Sequence, residues 1–565
     1  METNLEESKR VLSGIQFMDI IQGKLFNTPG YEQFLDSSSG NPIIQVKNCI
    51  VDDDINIVQN HNYQYEIRLK CDFHGALNFA GALFMQPISI LGGNFHETVN
   101  INRGTFREGF YIGSGVFEKG MAIRSGEFLK SFMISGGEFH NCSITGGQFV
   151  NDFFINGGSF KSFSIENGIF KTQFIIAGLD DPFCRFIING GQFENGLTIL
   201  NTTITDTFFV FRGAFDGIIS LKNSRLSFLD IQQPEISQIS IDHSTIGTLL
   251  FRNNRYLLTA DFDHSIFEAL IFEHCTFTEG TVFHISDCKI RDLIYMKSIN
   301  LGYVNFNSLV GFGNSGGKIE LVHSDMGETL FVNCRLDMFQ KIIYSGSKLK
   351  DMFISETVIP DELNGYRLVR KSIEEMADWD TRNPESEFYW DRQYHYIFDY
   401  QQQRYGFTQL KKLYANQGDD IHSLEMYSRE MNAYMKELWQ GEKTISKLFE
   451  EVRLGLNRMS NRHGSRWIRA FFFTLLIGFG FFWIYLYFLG FRLQCSRGSL
   501  DQAEFLNSYI FKFLSLIPSK DSLAADLGVK ETIASRIVYG FSRIAIIYAL
   551  YQFIQAFRKH NKISV

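Results

Sequence analysis

Residues 93–139 read GNFHETVNINRGTFREGFYIGSGVFEKGMAIRSGEFLKSFMISGGEF, and their spacing decides the architecture of more than half the chain. Gly-x-Phe returns every ten or eleven residues, giving Phe95, Phe106, Phe117, Phe128 and Phe139, and continues through Phe149, Phe160 and Phe170. Between these phenylalanines fall Ile101, Ile112, Ile123, Ile134, Ile144, Ile155 and Ile165. A helix would place apolar residues three and four apart and a free strand two apart, whereas these recur every five or six. The pattern predicts a winding chain with one short strand and then a corner per unit, which is a β-solenoid.

Two positions before each phenylalanine stands a glycine: Gly93, Gly104, Gly115, Gly126, Gly137, Gly147, Gly158 and Gly168. The alternate units carry Val99, Phe110, Met121, Phe132, Cys142, Phe153 or Phe163 at the equivalent place. The expectation is a slot without a side chain facing a large one, so that volumes match across a narrow core. Gly, Ser or Asn just before the glycine supplies the corner. Downstream the register changes dialect, as in His243-Ser244-Thr245-Ile246, His264-Ser265-Ile266-Phe267, Asp287-Cys288-Lys289-Ile290 and Asn333-Cys334-Arg335-Leu336, but keeps a small residue two before an apolar one.

Over roughly residues 44–359 this small-x-large register resembles the pentapeptide-repeat family, and the resemblance implies a four-sided, right-handed coil. The chain departs from that family in its frequent six-residue units, its glycine in the small slot and its few Ala-Asp/Asn-Leu signatures. With two units closing a coil, roughly 15 coils at about 4.8 Å each make a rod on the order of 70 Å long. Long walls of this kind present surfaces to partners.

The same register places Cys49, Cys71, Cys142, Cys184, Cys275, Cys288 and Cys334 in the small inward slot as core fillers, which points to a reducing compartment. Paired Cys/His converging from two loops are not found by this spacing, so no metal site is expected. Catalytic residues and cofactors are not expected either. Gly311-Phe312-Gly313-Asn314-Ser315-Gly316 has the letters of a dinucleotide loop without the helix or acidic ribose partner that the chemistry requires, and reads as a solenoid corner. Between residues 88 and 171 seven basic side chains balance seven acidic ones, a wall suited neither to nucleic acid nor to its mimicry.

The net charge of -8 and 45% hydrophobic content conceal a boundary. Ala470 to Phe491 is 22 residues without a charge, about 33 Å of helix against a hydrocarbon core of about 30 Å. Ile537 to Phe557 forms a second span, interrupted by Arg543, Gln552 and Gln555. Arg453, Arg458, Arg462, Arg466 and Arg469 precede the first span and Arg558, Lys559 and Lys562 follow the second, so the positive-inside rule puts both termini in the cytoplasm. Met1 to Glu7 lacks an apolar signal core, and the expected location is a cell inner membrane.

The domains follow: a cap at 1–43, the solenoid at 44–359, an α-helical coupler at 360–466, a first transmembrane helix at 467–492, an extracytoplasmic loop at 493–532, and a second span with a cytoplasmic tail at 533–565. In the coupler, helical periodicity breaks at Asn416-Gln417-Gly418-Asp419-Asp420, where Gly418 suits a C-terminal cap and Asp419 or Asp420 the next N-cap. The run 456–465 before the first span and Tyr551 to Lys559 closing the second resemble a group of bacterial membrane proteins that join pentapeptide-like repeats to a two-span, channel-like C-terminus.

Between the spans, Phe505 to Ile517 has the length of a pore helix, with Phe505, Tyr509 and Phe513 on it and Pro518 ending it. The residues that follow lack a Thr-Val-Gly-Tyr-Gly filter, and a helix lying on the outer leaflet is the plain alternative. Polar residues inside a span point to function, so Arg543, Gln552 and Gln555 are expected to line or seal a pathway between subunits of a homo-oligomer. The solenoid would then sense a cytoplasmic protein or small-molecule ligand, in a stress or phage-defence setting that keeps the pore closed by default. The competing expectation is a membrane-tethered scaffold with no transport activity.

Overall fold

The computed structural model describes the chain from Lys9 to Asn561 apart from residues 38–41, 59–60, 180, 255–256, 258, 278–280, 300–302, 312–316, 350, 361, 372–393, 442–443, 464–465, 491–508, 511, 515–523 and 525–529. The dinucleotide-like run beyond Gly311 thus lies outside the described residues. The chain divides into two compact units, residues 1–362 and 363–565.

The first unit is a β-solenoid of about 14 turns, one fewer than the spacing suggested. Parallel pairing sets Phe95 beside Phe117 and Phe117 beside Phe139, while Phe106 pairs with Phe128 and Phe128 with Phe149. Two Gly-x-Phe units therefore close one coil. Each coil visits four walls in order, as in Ile88–Gly92, Asn94–Phe95, Val99–Asn102 and Thr105–Phe106, before Phe110–Ile112 returns to the first. At about 4.8 Å per turn the rod is about 65 Å long.

The strand spacing stacks identical rings. Phe106, Phe128, Phe149 and Phe170 lie centroid to centroid at 4.7, 4.8 and 4.8 Å, within 3° of parallel. A second ladder runs through Phe95, Phe117, Phe139 and Phe160, and a third through Phe110, Phe132, Phe153 and Phe174. The first and third meet edge to face, as at Phe128 and Phe132 (5.2 Å, 89°), the geometry that the ring quadrupoles favour.

The glycines serve a different purpose from the volume matching expected of them. Gly158 has φ +97°, and a Cβ there would lie 2.9 Å from the Gly137 carbonyl oxygen of the coil below; one at Gly157 would lie 2.0 Å from Ser135 O. The corner needs glycine because backbones of successive coils approach at it and because the left-handed region excludes most side chains.

Beyond residue 200 the coils change, and between residues 203 and 252 they consist of longer strands of eight or nine residues, such as Thr203–Phe211 and Ala214–Lys222. Here non-glycine residues hold the left-handed corner: His243, His264 and Asp287 have φ of 48°, 46° and 50°. Immediately after them the small residue turns inward and is satisfied along the stack. Ser244 Oγ donates to Asp242 O (2.9 Å) and accepts from Ser224 N (3.1 Å), and Ser244 N donates to Ser265 Oγ (3.1 Å). Cys275, Cys288 and Cys334 occupy equivalent buried positions. Cys184 does not; it lies exposed on the strand Phe183–Ile188, where a register shift turns it outward, so it is not a core filler.

The start of the rod is closed by Arg10–Leu12, which pairs with Ile43–Val51, and by helix α1 (Gly14–Ile21). A capping box at Ser13 and Gln16 starts the helix, and Phe17, Ile20 and Ile21 are buried, with Phe17 edge-on to Phe73 at 5.4 Å.

The second unit opens with an antiparallel pair, Glu362–Arg370 with Tyr394–Phe398, so the coupler is not wholly helical as its periodicity implied. Then follow α2 (Tyr400–Asn416), α3 (Asp420–Gln440), α4 (Ile445–Asn461), α5 (Trp467–Phe488) and α6 (Ile533–Asn561). The α2–α3 turn is as the sequence indicates: Gly418 has φ +77°, and the Asp419 carboxylate accepts from His422 N at 3.0 Å. Glu430, buried on α3, ties the two helices by accepting from Thr408 (2.9 Å) and Lys411 (2.6 Å).

Candidate functional site

Helices α5 and α6 form an antiparallel hairpin. Trp467 meets Phe557 at 5.9 Å and Phe471 meets Phe553 at 5.9 Å near one end. Thr474 Oγ1 donates to Ala549 O (3.1 Å), and Thr532 Oγ1 donates to Phe488 O (3.2 Å) at the other end. Both helices are long and apolar enough to cross a membrane by length and composition. Their outward side chains, including Phe472, Leu476, Tyr487, Ile537 and Ile544, are large, apolar and exposed.

Part of the connection returns into this hairpin. Residues 509–510 and 512–514 are helical, and Phe513 is buried against Phe482 (5.4 Å), Tyr485 (5.5 Å) and Tyr539 (6.0 Å). Leu514 reaches Gly478, where a Cβ would lie only 2.4 Å from its Cδ2. Gly478 sits midway along α5, so the segment penetrates to the middle of the hairpin rather than resting on its end. Tyr509, Ile510 and Leu514 pack on the same cluster as Phe482, Leu486, Ala524 and Ile546.

Arg543 belongs to this constellation. Its guanidinium lies 4.4 Å from the centroid of the Tyr539 ring and 5.8 Å from that of Phe513, and it donates to the Tyr539 hydroxyl. Two aromatic faces and a hydroxyl thus hold a cation within the apolar stretch of α6, at the eleventh of its 29 residues. Of the candidates from sequence, the structure brings Arg543, Tyr509 and Phe513 together. Gln552, which is buried, and Gln555, half-buried, lie further along α6 and do not join the cluster; Phe505 is outside the described residues. Sequence reading missed Gly478, Tyr485 and Tyr539. The i, i+4 spacing of Tyr539 and Arg543 was the available signal for one of them.

Two features mark the solenoid. On the wall formed by Arg225–Gln232, Thr245–Arg252, Ile266–Glu273 and Lys289–Lys297, residues on the outer face are nonetheless buried: Asp230, Leu250, Ile271, Glu273, Tyr295 and Lys297. Glu273 is neutralised there by Lys297 (3.4 Å) and Arg252 (3.4 Å). At a corner, Asp242, His243 and His264 bring donor atoms within 4.8 Å of one another, as do Asp263, His264 and Asp287. Such oxygen and imidazole donors are able to hold a divalent cation, which the cysteine and histidine spacing along the chain did not indicate. The coil period of 21 to 23 residues is what aligns them. The imidazoles already have carboxylate partners, His264 Nδ1 at 2.9 Å from Asp263 and His243 against Asp242, and both are exposed.

No known family model matches the chain, and neither a curated protein nor a solved structure does. The resemblance to pentapeptide repeats therefore rests on the register of the sequence alone.

Proposed function

We propose that this chain is an integral membrane protein in which the α5–α6 hairpin and its returning segment form one subunit of an oligomeric pore or membrane effector, with the solenoid as a partner- or ligand-binding rod on the cytoplasmic side. The observation that carries this reading is the seating of residues 509–510 and 512–514 with Arg543 at mid-hairpin. A tether needs only two apolar helices. Irregular backbone at membrane depth is tolerated where it is packed in protein or lines a cavity, and a mid-span cation is retained where it has work to do. The basic residues before α5 and at the end of α6 support cytoplasmic termini.

The test is ion flux from liposomes containing the full-length protein, compared with Arg543→Leu and Gly478→Leu. Flux that both substitutions alter supports the pore. A monomeric detergent complex that never conducts refutes it, and biological activity retained after both spans are exchanged for an unrelated anchor would establish the scaffold instead.

A further inference from the structure

Among the described residues, helix α4 leaves one apolar face exposed. Ile445, Leu448, Phe449, Val452, Leu456 and Met459 are each more than a third exposed, at 79, 56, 72, 54, 37 and 55%. At about 100° per residue they fall within an arc of about 100°, a continuous stripe along roughly 21 Å of helix. The opposite side is occupied: Leu454 is buried with Met435 and Leu438 of α3, against which Met431 and Tyr434 also pack. So α4 has α3 on one side and six large apolar side chains bare on the other.

We infer that this stripe lies in the headgroup and acyl boundary of the cytoplasmic leaflet, making α4 an in-plane amphipathic helix; the inference rests on the membrane reading of α5 and α6. Three observations select lipid over other occupants. First, α4 is placed at the right depth. The Tyr548 hydroxyl of α6 donates to Asn457 Oδ1 at 2.9 Å, and Tyr548 is nine residues from Phe557, whose ring meets Trp467 at the base of α5. The last turns of α4 thus lie beside the first turns of the hairpin, and α4 packs on both α5 and α6. Second, Arg462 and His463 are in the left-handed region (φ 51° and 61°), which ends α4 and keeps it from running on into α5 as one continuous helix. Third, Arg453 on α4 is paired with Glu450 at 3.0 Å, but Arg458 at its end and Arg462, Arg466 and Arg469 just beyond give the junction with α5 a surplus of cations suited to anionic phosphates.

The consequence is mechanical. Immersion of α4 fixes the level at which α5 enters the bilayer, and a change in the α3–α4 packing would tilt or lift the base of the hairpin.

The test uses the full-length chain in nanodiscs of mixed zwitterionic and anionic phospholipid, with Cys184→Ser and Cys495→Ser removing the exposed solenoid thiol and the one in the connecting loop. Spin labels are placed singly by Phe449→Cys on the stripe, Ser446→Cys on the flank and Leu476→Cys on the outward face of α5. Collision with oxygen, which concentrates in lipid, is compared with collision with a water-soluble nickel chelate. Oxygen is expected to dominate at positions 449 and 476 and nickel at 446. Nickel access at 449 with oxygen dominance at 476 overturns the inference and leaves the spans intact, whereas nickel access at 476 removes the membrane reading itself. A label at 449 shielded from both agents and dipolar-broadened by a neighbouring label assigns the stripe to a second copy and overturns the inference.

Discussion

Replacing Phe128 by alanine tests whether the ring ladders hold the rod together. Phe128 is 1% exposed and stacks on Phe106 at 4.7 Å and Phe149 at 4.8 Å, with Phe132 edge-on at 5.2 Å. Removing a buried phenylalanine costs about 3–5 kcal/mol through lost transfer and the cavity left behind. The stacked pairs account for part of this, at about 0.5–1.5 kcal/mol each, so Phe128→Leu, which keeps most of the volume, should cost roughly 1–3 kcal/mol. At tenfold per 1.4 kcal/mol, the alanine change accelerates amide exchange about a hundredfold to a few thousandfold wherever exchange requires opening of that coil. Because each coil touches only its neighbours, the effect should concentrate on residues 105–112, 127–134 and 148–155 and leave the strands at 318–322 and 341–345 unchanged. Hydrogen exchange read by mass spectrometry on the full-length protein resolves these peptides. Uniform acceleration from end to end, or less than about a tenfold change at the site, would refute nearest-neighbour stacking as the source of stability.

Gly158→Val forces a β-branched side chain into φ +97° against the Gly137 carbonyl and should lower the unfolding midpoint sharply, while Gly113→Ala, where a Cβ would approach the Ile90 carbonyl oxygen no closer than 3.7 Å, should not. Thiol mapping under native conditions should modify Cys184 and spare Cys142, Cys275 and Cys288, whose thiols burial pushes up, to about 12 for the last two. At Asp72 and Asp242 burial alone would raise the carboxyl, but hydrogen bonds from Lys9 and Asn94 N, and from His243 and Lys222, outweigh it and hold both below the ordinary value. Their stabilisation is therefore present above the unfolded carboxylate value of about 3.9 and disappears as pH falls through the lower folded values. Denaturant midpoints of wild type should drop in that acid range, and Asp72→Asn should have a lower midpoint at neutral pH with a shallower acid decline.

The solenoid was legible because each coil reuses one solution: Phe95, Phe117 and Phe139 occupy one wall and advertise it by their spacing. What glycine does at Gly157 and Gly158 was not legible, since the clash it avoids is with Ser135 and Gly137, a whole coil earlier, and only the stacked backbones reveal it. Cys184 shows the same limit, because a local shift of register reverses the face of a residue without altering the letters around it. In the hairpin, periodicity marked both helices and Arg543, but the aromatic seat of the guanidinium joins Phe513 to Tyr539 across a connection whose path carries no repeat. Ile445, Leu448, Phe449, Val452 and Leu456 stand at helical spacing in the sequence, yet which face of α4 met protein was decided by Met435 and Leu438.

Closing one coil with two Gly-x-Phe units gives the rod a rule for changing length. Gain or loss of two units together would add or remove a storey and leave everything beyond it facing the same way. Gain of a single unit would carry every later residue half a revolution around the axis, where apolar strands still meet apolar strands and rings still meet rings, since the ladder through Phe95 and the one through Phe106 sit on alternate walls. The core would accept both events; only the direction in which the far end points would distinguish them.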